Sequence, residues 1–157
     1  MREMLFRGRR LYGKEWVYST TIFTEGDRVY MPRPDTNYII TSHADIVGDI
    51  WQIECKRPDC FYRVDPSTVG QYTGLTDKNG NKIFEGDILS IAQNSDGMGQ
   101  YYYPPIPYPA HVVVKWDLCS WMWEVIGEDK YYLSFPDAWC HYDCEVIGNI
   151  HDNPELL

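Results

Sequence analysis

The chain has 157 residues, 44% of them hydrophobic and 24% charged, with a formal net charge of −9. That length suits one domain, or one domain with a smaller appended lobe, and that apolar fraction excludes wholesale disorder. The acid excess argues against non-specific attachment to nucleic acid, and no apolar run approaches the roughly 18–20 residues of a membrane-spanning helix.

The N-terminus reads as a hairpin. Met4, Leu5 and Phe6 precede Arg7–Arg10, and Trp16-Val17-Tyr18 return after Gly13-Lys14, with Gly8 and Gly13 supplying conformational freedom. Residues 1–16 carry five Lys/Arg against two Glu, and the remainder carries nine against twenty-one. A solvated basic edge that discourages strand pairing explains this opening better than a phosphate-binding role does. It holds no apolar stretch of signal length, so the expected location is the cytoplasm, without membrane contact.

Met31-Pro32-Arg33-Pro34-Asp35 is expected as loop, because two prolines remove donors and fix φ. Strands are expected at Asn37–Thr41 and at Asp49–Cys55, where Ile50, Gln52 and Glu54 oppose Trp51, Ile53 and Cys55. Asp65-Pro66-Ser67-Thr68-Val69-Gly70 predicts a short turn or a single helical turn, with Asp65 as cap and Pro66 in first position. The domain boundary belongs here: residues 1–65 as an N-terminal β lobe, and residues 66–157 as an SH3-like small barrel with little helix. Asn79-Gly80 predicts a tight turn, both residues tolerating positive φ.

Glu85-Gly86-Asp87 predicts a second turn, with the aspartate binding turn backbone as a strand begins. In that strand Ile88 should occupy one face, with Leu89 and Ile91 on the other. Residues 93–109 hold Tyr101, Tyr102, Tyr103 and Tyr108 among Pro104, Pro105, Pro107 and Pro109, a density no ladder strand carries, and are expected as an exposed loop. Val112, Val114 and Trp116 alternate with Val113 and Lys115, and Trp121, Trp123 and Val125 alternate with Met122 and Glu124. Two strands follow, joined at Leu118-Cys119-Ser120. Cys144–Ile150 gives the last strand, and Asn153-Pro154 begins the tail. The fold class is therefore mainly β.

Three ordered stretches carry a family likeness. Thr68–Leu75, Asp77-Lys78-Asn79-Gly80 and Ile83–Leu89 form one, Glu145–Leu157 another, and the opening Arg2–Arg7 a third. Together they closely resemble the YopX family. The resemblance implies a β-rich protein encoded by a bacteriophage or prophage, and brings no reaction, cofactor or catalytic residue with it. The Tyr/Pro segment and the Trp-rich hairpin fall where the family varies.

Chemistry-bearing clusters are few. Cys55 and Cys60, with Cys140, His141 and Cys144, hold enough donors for zinc, but their spacings are not the two-residue knuckle of structural zinc sites. Five cysteines with no export signal fit free, buried thiols in a reducing compartment. Glu85 and Asp87 flank a turn glycine and are expected to satisfy backbone N–H groups rather than act as acid and base. His43, His111, His141 and His151 are scattered, and no nucleophile elbow or phosphate-cradling glycine pattern appears.

The expectation is thus a non-enzymatic module with no cofactor and no metal, binding an unidentified protein partner or a second copy of itself. The candidate contact residues are Tyr101, Tyr102, Tyr103, Tyr108, Trp121 and Trp123, since aromatic side chains give large contact area at low entropy cost. Asn79, Gly80, Glu85, Gly86 and Asp87 are expected as structural turns. The alternatives are an acidic mimic of nucleic acid that inhibits a host DNA-binding protein, and a weak nucleic-acid binder using the basic N-terminal strand.

Overall fold

The computed structural model describes residues 3–34, 38–45, 48–55, 60–93, 110–117, 120–127, 132–134 and 142–157. The fold is mainly β, as expected. Among the described residues the helical content is two 3-10 turns, Pro66–Thr68 and Pro154–Leu156, and no helix is long and apolar enough to cross a membrane. The chain divides into two compact units, Leu5–Val69 and Gly70–Leu157 with Met1–Met4.

In the first unit β1 (Phe6–Arg9) pairs antiparallel with β2 (Trp16–Ser19), setting Gly8 opposite Val17. Gly8 is a close-approach glycine: a Cβ there would lie 3.0 Å from Met31 Cε and 3.2 Å from Val64. β3 (Phe23–Glu25), β4 (Arg28–Pro32) and β7 (Phe61–Val64) form a three-stranded antiparallel sheet, with Phe23 and Phe61 edge-to-face at 5.6 Å. β5 (Tyr38–Asp45) and β6 (Gly48–Cys55) form a separate hairpin.

Met31 and Pro32 are strand rather than loop. Met31 is fully buried and pairs with Tyr62, and Pro32 pairs with Phe61. The proline is tolerated because of ladder alternation. Arg33 N donates to Cys60 O, so the bonded positions flank Pro32, whose nitrogen faces away from β7 beyond the end of β3. The strand expected at Asn37–Thr41 runs on to Asp45. The Asp65 cap is as expected: Oδ1 accepts from Ser67 N at 3.0 Å, and Thr68 Oγ1 accepts from Arg9 N at 2.9 Å.

In the second unit β8 (Gly70–Thr76) pairs with β9 (Lys82–Phe84). A five-stranded antiparallel sheet follows, from β10 (Asp87–Gln93), β11 (Ala110–Asp117), β12 (Ser120–Val125), β13 (Tyr132–Ser134) and β14 (Tyr142–Asn149). Its order is β13-β12-β11-β10-β14. Ser120 is strand rather than connection, pairing with Asp117, and the last strand ends at Asn149, not Ile150.

The core follows from alternation. Register sets Val112, Val114 and Trp116 opposite Val125, Trp123 and Trp121, so these six share one face. That face, short of Trp116, packs with Ile83, Leu89, Ile91, Ala110 and Cys144 in one apolar cluster. Ile88, Leu89 and Ile91 are all fully buried, yet Ile88 lies outside that cluster, on the opposite face as expected.

Gly80 has φ +85° and a Cβ there would meet nothing within 4 Å. Gly80→Ala is therefore a purely conformational substitution, expected to cost about 1–2 kcal/mol for the left-handed backbone. Chemical denaturation checks it. Asn79, by contrast, is not among the residues at positive φ.

Candidate functional site

The turn residues form a clasp around the last strand. Asp77, 5% exposed, accepts from Asn79 N at 2.9 Å and Asn81 N at 2.8 Å through Oδ1. Its Oδ2 accepts from Asn81 Nδ2 at 3.0 Å and, across 69 residues of sequence, from Val146 N at 3.1 Å. Burial alone would raise this carboxyl's pKa, but those hydrogen bonds outweigh it and hold the pKa below the usual range. Lys78 N donates to Cys144 O, and Lys78 Nζ meets Glu145 Oε2 at 2.7 Å. That contact raises the lysine pKa and lowers the glutamate's.

The second turn does the same work. Gly86 has φ +80°, its N–H donates to Val114 O, and its carbonyl accepts from Ile150 N. Asp87 is 1% exposed and accepts from Phe84 N at 2.7 Å. Glu85 N donates to Gln71 O at 2.9 Å, and a Cβ on Gly70 would lie 2.7 Å from Glu85 O. Two of the stretches that carry the family likeness thus meet in space as architecture: the central signature holds the C-terminal one in place.

The aromatic contact residues come out differently. Trp123 is fully buried and Trp121 is 7% exposed, both in the core cluster. They offer almost no contact surface, because their row of alternation shares the core face with Val112 and Val114. Trp116, one position beyond the core in the same row, is 52% exposed and meets Trp121 edge-to-face at 4.9 Å. Tyr101, Tyr102, Tyr103 and Tyr108 lie outside the described residues.

The opposite face of β11 and β12 carries a cavity of about 370 Å³. Val113 and Ile126 line it with Ile150 and Leu157 from the C-terminal segment, joined at the strand end by Val125 of the core row, and Lys115 and Glu124 contribute polar groups. Lys115 Nζ and Glu124 Oε2 form an ion pair, with the glutamate side chain 9% exposed. A cavity of this size, apolar with one charged pair, accommodates a single large side chain or a small ligand. Sequence reasoning missed it because its walls come from positions 113–127, 150 and 157. The available signal was Val113, an apolar residue in the row opposite the core.

Other chemistry is engaged in structure. Cys60 is disulfide-bonded, contrary to the expectation of free thiols, and a sulfur in that state has no thiolate for a metal. Cys144 is free and buried, and burial pushes its thiol up to about 12, with Asp77 and Asp143 adding to the rise. It stays a protonated, unreactive thiol at neutral pH. Among the described residues no group of three His, Cys, Asp or Glu is placed to hold a metal ion.

The basic opening is solvated only in part: Lys14 is exposed and Arg9 and Arg10 are half-buried, whereas Arg7 is packed away. Arg7, 8% exposed, lies over Trp16 at 4.8 Å, and Arg10 and Arg33 lie over the Tyr62 ring at 4.8 and 5.1 Å.

A family model described as "YopX protein" matches residues 5–157. No curated protein matches. Among solved structures the chain is similar to protein EF1440 from Enterococcus faecalis, known from a crystal structure. The two share 28% sequence identity over 98% of this chain and 97% of that one, with a TM-score of 0.52.

Proposed function

We propose that this chain, which belongs to the YopX family, is a non-enzymatic protein-binding module of phage or prophage origin that acts in the bacterial cytoplasm. The observation that carries the reading is the outer-face cavity between β11, β12 and the C-terminal segment. An apolar recess bordered by an ion pair suits an anchor side chain from a partner, with polar contacts at its rim. The unit that bears it holds five Lys/Arg against fourteen Asp/Glu, so a partner with a basic surface is favoured in encounter and orientation. The SH3-like barrel belongs to the same proposal: four strands of the antiparallel sheet, β10, β11, β12 and β14, share one apolar cluster and supply the wall of such a module.

That concentration of acid also supports a second reading, a competitor that occupies the DNA-binding surface of a host protein. Affinity purification from host lysate separates the two. Leu157 is 58% exposed at the cavity rim, so Leu157→Asp alters the recess without touching the core. A basic host protein retained by the wild type at about 0.5 M salt, and lost at least tenfold with Leu157→Asp, is the expected result. Capture that ignores Leu157→Asp and vanishes in salt favours the competitor. Capture of nothing by either protein overturns the module.

A further inference from the structure

We propose that the chain pairs with a second copy of itself along the outer edge of β5, antiparallel and centred on Thr41. This does not depend on the cavity reading. β5 and β6 pair without interruption from Tyr38↔Cys55 to Asp45↔Gly48, and among the described residues no third strand joins them. A two-stranded sheet is marginal in water, and an open edge is a template for another strand. Tyr38–Asp45 contains no proline, no lysine and no bulge, the usual guards of such an edge.

Backbone alternation selects the register. Asp45 and Gly48 close a two-residue connection, which makes theirs a hydrogen-bonded pair. The N–H and C=O groups of Ile39, Thr41 and His43 then serve β6, and those of Tyr38, Ile40, Ser42 and Ala44 point to the free edge. A two-fold axis normal to the sheet keeps each face on its own side, so one residue of β5 must sit opposite itself. With Thr41 there, Tyr38 pairs with Ala44 of the second copy and Ile40 with Ser42, and all four outward residues are used.

Charge favours this edge and this occupant. Tyr38–Ala44 carries no Asp, Glu, Lys or Arg, and Asp45 falls beyond the overlap. β6 carries Asp49 and Glu54, which pairing through its edge would double. The unit Leu5–Val69 balances nine Lys/Arg against nine Asp/Glu, whereas the other unit holds the net acid. Two copies therefore meet through the neutral unit with the least repulsion.

Analytical ultracentrifugation of the full chain from about 1 to 200 µM tests the proposal, since a strand pair alone buries less than the roughly 1,200 Å² of a stable interface and is expected to dissociate in that range. The wild type should show a concentration-dependent dimer. Ser42→Pro removes an outward N–H and should give a monomer with an unchanged circular dichroism spectrum. Thr41→Pro removes an inward one and should disrupt the hairpin itself. Thr41→Cys places two thiols on a non-hydrogen-bonded pair about 4.5 Å apart at Cα, close enough for a disulfide, and keeps the test sound should Ser42→Pro not fold. It should form a covalent dimer on oxidation at least tenfold faster than Gln52→Cys, the position facing Thr41 across β6. A monomer throughout, a dimer that survives Ser42→Pro in folded protein, or equal cross-linking of the two cysteine variants overturns the proposal.

Discussion

Trp123→Ala is expected to lower the unfolding free energy by about 3–5 kcal/mol, the range for deleting a fully buried aromatic side chain. Trp123 lies on a central strand, opposite Val114, in the cluster with Leu89, Ile91, Val112 and Val125, and has no exposed surface. Neighbours fixed by ladder hydrogen bonds on both sides of β12 cannot collapse into the space, so the cavity term adds to the lost transfer energy. Against a typical total of about 5–15 kcal/mol, this single change removes a large fraction of the margin. Trp116→Ala, at a half-exposed position in the same row, is expected to cost under about 1 kcal/mol. Urea titration followed by far-ultraviolet circular dichroism measures both, and comparable losses at the two sites would contradict the placement of the core.

Asp77→Ala is expected to cost about 3 kcal/mol at neutral pH. It leaves the N–H groups of Asn79, Asn81 and Val146 without their carboxylate acceptor, and hydrogen bonds to a charged group are worth about 1.5–3 kcal/mol each before relaxation. Asp77→Asn keeps the shape but turns an amide donor toward donors, so it too loses stability. The pH dependence has a definite sign. The folded pKa lies below the unfolded one, so the carboxylate's contribution is fully present above the unfolded value and is lost as pH falls through the folded value. The stability gap between wild type and Asp77→Asn should therefore narrow between pH 7 and pH 3. Equal gaps at the two pH values would mean that the charge of Asp77 is not what binds the turn to β14.

Much of the fold was legible because apolar side chains recur at every second position along β11 and β12, where one row builds the core. Val112–Trp116 and Trp121–Val125 announce themselves by strict alternation, and the Asp65-Pro66 turn by cap chemistry. Gly86-Asp87 was read by the same kind of cue. The sheet of β3, β4 and β7 was not legible. Its strands have three to five residues, and Pro32 and Pro34 concealed a strand whose proline sits where no ladder donor is required. Gly26-Asp27, with Gly26 at φ +59°, was the overlooked signal, the same dipeptide that opens β10.

The candidate site was less legible still. Alternation shows which residues share a row but not which row faces inward, so Trp121 and Trp123 read equally well as surface or core. The cavity needs Ile150 and Leu157 beside Val113, a proximity that no local pattern encodes. The disulfide at Cys60 could not be read from an odd count of cysteines, which permits bridges as readily as free thiols.

The order of strands in the five-stranded sheet has a consequence for how the protein is made. β10 is flanked by β11 and by β14, and its partners on β14 follow it by 49 to 62 positions. During synthesis β10 therefore emerges from the ribosome with one flank bare, and the Asp77 turn has no strand to grip until Asn149 has cleared the exit tunnel. Closure of that unit is a late, long-range event, so slow assembly and chaperone attendance on the nascent chain are the expected companions of this topology.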